Sequence, residues 1–200
     1  YQEKYRLEKR KSAKVFHDTL VAFAERRIII MEVEYVDNMV KWLYDDKEII
    51  YETKGVEFAT DVATAIYIEL MFDGIYEYRF VGFSGEDICK YDDNNLLTIY
   101  DENAGKHEIQ LEDINDIFIL KKKIYVMNKR KSIIVYNTEG ENKGLILPPQ
   151  GYIYSRFCNS SKLEVICEGD SLRADSFGRV DYKFGYNLFC NNWERKNVVY

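Results

Sequence analysis

The sequence predicts an α+β fold that is mainly β, with an N-terminal helical portion over residues 1–50 and an antiparallel meander over residues 51–200. Three observations carry this. The 200 residues hold 17 Tyr and 11 Phe beside abundant Ile and Val but only 2 Pro, which is the β-branched and aromatic supply that pleated strands use. From Gly74 onward, short apolar runs of strand length are cut at short intervals by Asn, Asp and Gly. Before that point the strongest periodicity is helical.

The elements follow in chain order. Val15, Phe16, Thr19, Leu20, Phe23 and Ala24 recur at three and four residues, with Ser12 placed as N-cap and Arg26 and Arg27 in the last turn, so a helix is expected over 12–27. The stretch Ile28 to Tyr51 fits two periods. Val36, Met39, Val40, Leu43 and Tyr44 have helical spacing, whereas Met31, Val33 and Tyr35 alternate with Glu32 and Glu34 as a strand would; helix is expected after Val36. A second helix is expected at Asp61 to Leu70. Eleven strands are expected beyond it: 76–83, 96–100, 107–111, 117–120, 124–128, 132–136, 144–147, 152–157, 163–167, 181–186 and 196–200. Tight connections make them an antiparallel meander.

An internal repeat supports hairpin stacking. Leu96 to Asp101, a loop with Gly105 and Glu108 to Leu111 align with Ser132 to Asn137, a loop with Gly140 and Leu145 to Leu147. A third copy starts at Phe184-Gly185-Tyr186-Asn187 and ends at Val198-Val199-Tyr200. The offsets bracket the length of roughly 40 residues of a propeller blade. A propeller-like or a sandwich-like arrangement of the hairpins satisfies the pattern.

Composition excludes several classes. The longest apolar run, Ile28 to Met31, is flanked by Arg26, Arg27 and Glu32, far short of the roughly 18 residues a membrane helix needs. The first eleven residues are charged and contain no signal-peptide core. Cys89, Cys158, Cys167 and Cys190 form no C-x-x-C pair, which fits reduced thiols in a cytoplasmic protein. The net charge of -6 disfavours nucleic acid and anionic membranes and leaves basic or neutral partners open.

Catalysis finds little to work with. His17 and His107 are the only histidines, one in the expected helix and one in a hairpin, and both read as structural. G-x-S-x-G, G-x-x-x-x-G-K-[ST], G-x-G-x-x-G and H-E-x-x-H are all absent, so no catalytic, cofactor-binding or metal residue is assigned and no cofactor is expected. Glu168, Asp170, Asp175 and Asp181 offer hard oxygen ligands for a divalent ion, but their spacing is not that of an EF-hand, and turns capped by Asp side chains explain them as well. Lys121-Lys122-Lys123 and Lys129-Arg130-Lys131 bracket one strand with cations about 17 Å apart at strand rise, which suits solvated turns, an acidic protein partner or a phosphate track.

Within Gly151 to Tyr200, the residues Tyr152-x-Tyr154, Val165-Ile166-Cys167, Gly169-Asp170 and Asp175-x-Phe177-Gly178-Arg179-x-Asp181-Tyr182-x-Phe184 precede a closing strand. This segment resembles the C-terminal part of small uncharacterised bacterial β-rich proteins, some of which are similar to immunity proteins paired with secreted toxins. The resemblance implies a binder that blocks a partner through surface complementarity and transfers no functional residue. The functional expectation is therefore a non-enzymatic protein-binding module of the immunity type, with a protein partner. The alternative is a hydrolase or nuclease using Asp170, Asp175 and Asp181 with a divalent ion.

Overall fold

The computed structural model describes residues 32–103 and 105–199, which lie in one compact unit spanning Glu32–Tyr200. Those residues form seventeen strands and a single 3-10 turn, Ser171–Arg173, with no α-helix among them. The α+β expectation is thereby overturned: the described residues are β throughout, apart from that turn. The helix expected over 12–27, with His17, lies outside the described residues.

Each sheet is a meander in which sequence neighbours pair antiparallel. The first contains β1 (Glu34–Val36), β2 (Met39–Tyr44) and β3 (Lys47–Glu52). The second contains β4 (Val56–Val62), β5 (Ala65–Phe72), β6 (Ile75–Val81), β7 (Asp87–Asp92), β8 (Leu96–Tyr100) and β9 (Lys106–Gln110). The third is β10 (Ile114–Leu120), β11 (Lys123–Asn128), β12 (Ser132–Asn137) and β13 (Asn142–Ile146); the fourth is β14 (Tyr152–Phe157), β15 (Glu164–Gly169), β16 (Asp181–Asn187) and β17 (Asn192–Val198).

Two expected helices are strands for identifiable reasons. Val36 and Met39 face each other across the turn at Asp37-Asn38, so their spacing of three marks a hairpin end and not a helical turn. The presumed helix at Asp61 to Leu70 is a hairpin too, turning at Ala63-Thr64. Within β5, Ile66, Ile68 and Leu70 are fully buried on one face, while Ala65, Tyr67 and Met71 occupy the other. With apolar residues on both faces, alternation leaves no trace in the hydropathy. The N-terminal helical portion assigned to residues 1–50 therefore fails over 34–50, which belong to β1, β2 and β3.

The sheets stack face to face in chain order. Phe80, Cys89, Leu97 and Ile99 of the second sheet pack against Ile117, Ile119, Ile124 and Val126 of the third. The opposite face of the third sheet sends Phe118, Tyr125, Met127 and Ile133 against Tyr154, Val165, Cys167 and Tyr182 of the fourth. The third sheet is thus buried on both sides, which is why its strands read as unbroken apolar runs. Trp42 and Tyr51 tie the first sheet to the second: the Trp42 Nε1 donates to the Phe83 carbonyl at 2.7 Å, and the Tyr51 hydroxyl donates to Asp87 Oδ1 at 2.6 Å. Serial stacking of antiparallel meanders is a propeller-like arrangement.

Side chains of Asx residues shape the connections. Asp92, Asp101 and Asp175 each accept two backbone N–H bonds, from residues two and four positions on, at 2.8–3.1 Å. Asn137 accepts from the Glu141 N–H, and Asn187 from those of Phe189 and Cys190. The repeat seen in the sequence corresponds to three equivalent hairpins, β8–β9, β12–β13 and β16–β17, which are the last two strands of their sheets.

Candidate functional site

The carboxylates singled out from the sequence do not converge. Asp175 caps its own loop and pairs with Arg179. Asp170 caps the 3-10 turn and bonds Arg173, while Glu168 pairs with Arg130 at 2.7 Å. Asp181 lies at the start of β16, exposed. Among the described residues, no group of three or more His, Cys, Asp or Glu is placed to hold a metal ion.

The basic run is similarly committed. Lys121 and Lys122 form the β10–β11 turn, with Lys122 paired to Glu102, and Lys129 is paired to Glu112. Arg130 is a clamp between sheets: its Nε donates to the Tyr154 carbonyl and its Nη2 to Glu168, both at 2.7 Å. His107 on β9 meets Asp101 at 3.1 Å and lies against Gly140. Of the cysteines, Cys89 and Cys167 are buried and none of the four is paired; burial pushes the Cys167 thiol up to about 12.

A cleft of about 580 Å³ opens where the second and third sheets diverge, with Ile88, Ile119 and Tyr100 among its walls and Asp87, Asp101 and Lys122 among its polar groups. Its carboxylates are already engaged. Asp87 accepts from Tyr51, Asp101 accepts from two backbone N–H groups and meets His107, Glu102 binds Lys122, and Glu86 accepts from Ser84. Behind Asp87 runs a polar chain in which Arg79 donates to Tyr51 and to Glu77, and Lys90 donates to Glu77. Burial raises the Glu77 carboxyl, and Lys90 and Arg79 outweigh it, holding the group below the usual carboxylate range. Two of its contacts cross from the second sheet to the third: the Thr64 hydroxyl donates to the Ile119 carbonyl, and Lys122 pairs with Glu102.

A different surface is less committed. On the face of the second sheet that turns toward the third, the register sets Phe58, Glu69, Tyr78 and Tyr91 in one row across β4 to β7. Tyr67 and Tyr91 pack on the buried cluster between the sheets, and the rings spread outward from them. Tyr78 stacks on Tyr91 with centroids 4.7 Å apart and on Tyr76 at 6.2 Å, while Phe58 meets Tyr67 edge-on at 6.5 Å. Phe58, Met71 and Tyr76 are 41, 38 and 37% exposed. Glu69, flanked in the register by Phe58 and Tyr78, accepts from the Tyr67 hydroxyl at 2.8 Å. Asp93 accepts from the Tyr76 N–H at the rim. Sequence reading counted these tyrosines but did not group them, because a row across four strands is set by register and leaves no local pattern.

No family model matches the chain, and no curated protein matches it. Among solved structures, the N-terminal domain of Nup159 is similar at a TM-score of 0.42 and 10% identity, covering 84% of this chain and 58% of that one. One chain in the structure of the S. cerevisiae complex of dbp5 with nup159 and gle1 gives 0.41 and 8%, covering 84% and 60%. KlHsv2 with a replaced loop gives 0.32 and 10%, covering 84% and 83%. The chain spans less than two thirds of the length of the first two. At these scores the likenesses add nothing to the topology described above.

Proposed function

We propose that this chain is a non-enzymatic protein-binding module that engages its partner through the aromatic face of the second sheet. The observation that supports the reading is the row Phe58, Glu69, Tyr78, Tyr91 with Tyr67, Met71 and Tyr76 around it, in which Phe58, Met71 and Tyr76 are exposed and the other four are partly buried. Tyrosine and phenylalanine bring large contact area with little side-chain entropy to lose, which is why such residues are enriched in interfaces. Toxin neutralisation of the immunity type is the finer reading, and its support is the resemblance of the segment Gly151 to Tyr200. A reducing, cytoplasmic setting accords with four unpaired cysteines. No helix among the described residues is long and apolar enough to cross a membrane.

The test places a photo-reactive phenylalanine at Tyr76 and, separately, at Phe189, a fully exposed hairpin tip on the fourth sheet. Irradiation in the native cell should yield one discrete adduct at Tyr76 and none of that mass at Phe189. Equal, diffuse labelling at both sites would sink the reading.

A further inference from the structure

Building on that protein-binding reading, we propose that the aromatic face receives an arginine-bearing segment of the partner, with a guanidinium laid over the Tyr76–Tyr78 end of the ring stack, where Tyr76 is exposed, and paired to Glu69. Two features of the sheet lead to this. The first is the place of the carboxylate. Glu69 has Phe58 directly opposite on one neighbouring strand and Tyr78 on the other, so an anion sits within a field of ring faces. No cation among the described residues pairs with it.

The second is the distribution of charge between the faces. Arg79 and Lys90, the cations of β6 and β7, project from the opposite face and are tied to Glu77 there. What remains on the aromatic face is Glu69, with Asp93 at its rim beside the Tyr78 hydroxyl. A planar guanidinium suits this combination better than an ammonium. It lies flat on an aromatic ring, forks onto a carboxylate and is weakly hydrated, so less is lost when water leaves.

The same charges disfavour the other occupants. Stacked tyrosines suit nucleobases, but each base brings a phosphate toward Glu69 and Asp93 without a lysine on that face to neutralise it. A second copy of the chain would set Glu69 against Glu69.

The experiment measures binding of three short Gly-Ser peptides, each with three spaced copies of arginine, lysine or citrulline, by the shift of tyrosine ring signals in NMR. The arginine peptide should bind about tenfold tighter than the lysine peptide, and the uncharged citrulline peptide should not bind measurably. Glu69→Gln keeps an acceptor for the Tyr67 hydroxyl and should lower the arginine affinity about tenfold. Tyr78→Phe keeps the ring and should change it little, whereas Glu194→Gln on the fourth sheet should leave it unaltered. Equal binding of arginine and lysine peptides, indifference to Glu69→Gln, or tighter binding of a single-stranded oligonucleotide would each overturn the assignment. A specific adduct at Tyr76 together with no arginine binding would remove this assignment and leave the protein-binding reading in place. Arginine binding without any adduct would do the reverse.

Discussion

Asp116 shows how a single residue makes the joint between two sheets sensitive to pH. It lies on β10 beside a bulge, and its two oxygens accept from the Ile117 N–H at 2.9 Å and, across the inter-sheet gap, from the Phe157 N–H at 2.7 Å. Burial raises its carboxyl from 3.8 to about 6, against the opposing pull of those two bonds. Between pH about 4 and about 6 the folded chain therefore binds more protons at this site than the unfolded chain does, so the contribution of Asp116 to stability falls as pH rises through that window. A shift of this size corresponds to about 3 kcal/mol. Asp116→Asn removes the titration, and its amide nitrogen cannot accept one of the two N–H bonds, which costs about 1–3 kcal/mol. Denaturant unfolding should then show the variant well below the parent chain at pH 4 and much closer to it at pH 7. A difference that stays constant across the range would remove the titration from Asp116. Nothing in the sequence signals the burial of this aspartate, which directly precedes the expected strand 117–120, because Phe157, whose N–H it accepts, is supplied by another sheet.

At the scale of elements, the connections carry more information than the strands they join. Asp45-Asp46, Asp73-Gly74 and Lys121-Lys122 are two-residue turns in which both residues have positive φ, the signature of type I′ hairpins. Asp-Gly meets that demand, whereas two lysines pay a steric penalty at Cβ. Replacing Lys121-Lys122 by Asn-Gly should stabilise the chain by about 1–2 kcal/mol and raise its Tm by about 3–6 °C. A lower Tm would mean that the Lys122–Glu102 pair outweighs the backbone strain. The same turns explain what was legible. Strands 96–100 and 152–157 were read with their observed bounds because Asx and Gly residues frame them, and the three hairpin repeats were visible through Tyr-Asp or Tyr-Asn at their ends. β7 was missed because Cys89 is its only fully buried residue and Lys90, Asp92 and Asp87 give it a polar composition. β1 to β5 were misread or left open because their turns, at 37–38 and 63–64, fall at spacings that imitate a helix. The aromatic face was illegible for a related reason: Phe58, Glu69, Tyr78 and Tyr91 come together only once the register of four strands is known.

For the whole molecule, serial stacking makes the third sheet the element on which the others depend. Val126 and Met127 are adjacent in β11 and both fully buried, yet Val126 belongs to the core shared with the second sheet and Met127 to the core shared with the fourth. Local opening requires loss of contacts on every face an element buries, so β10, β11 and β12 should have the slowest amide exchange and exchange together. β1, which packs only at one end of the stack, and β17, at the edge of the fourth sheet, should exchange far sooner. Truncating one side chain at a time then separates the two cores. Met127→Ala should cost about 2–5 kcal/mol and accelerate exchange chiefly in β14 to β16, whereas Val126→Ala should cost less and act chiefly on β5 to β8. The asymmetry follows from the alternation of a single strand between two cores. Hydrogen-exchange mass spectrometry distinguishes this from a stack of independent sheets, in which each variant would loosen the third sheet alone. If the fourth sheet proved the last to exchange, its ion-paired outer face, where Lys183 binds Glu164 and Lys196 binds Glu194, would have to be counted as a stabilising cap in its own right.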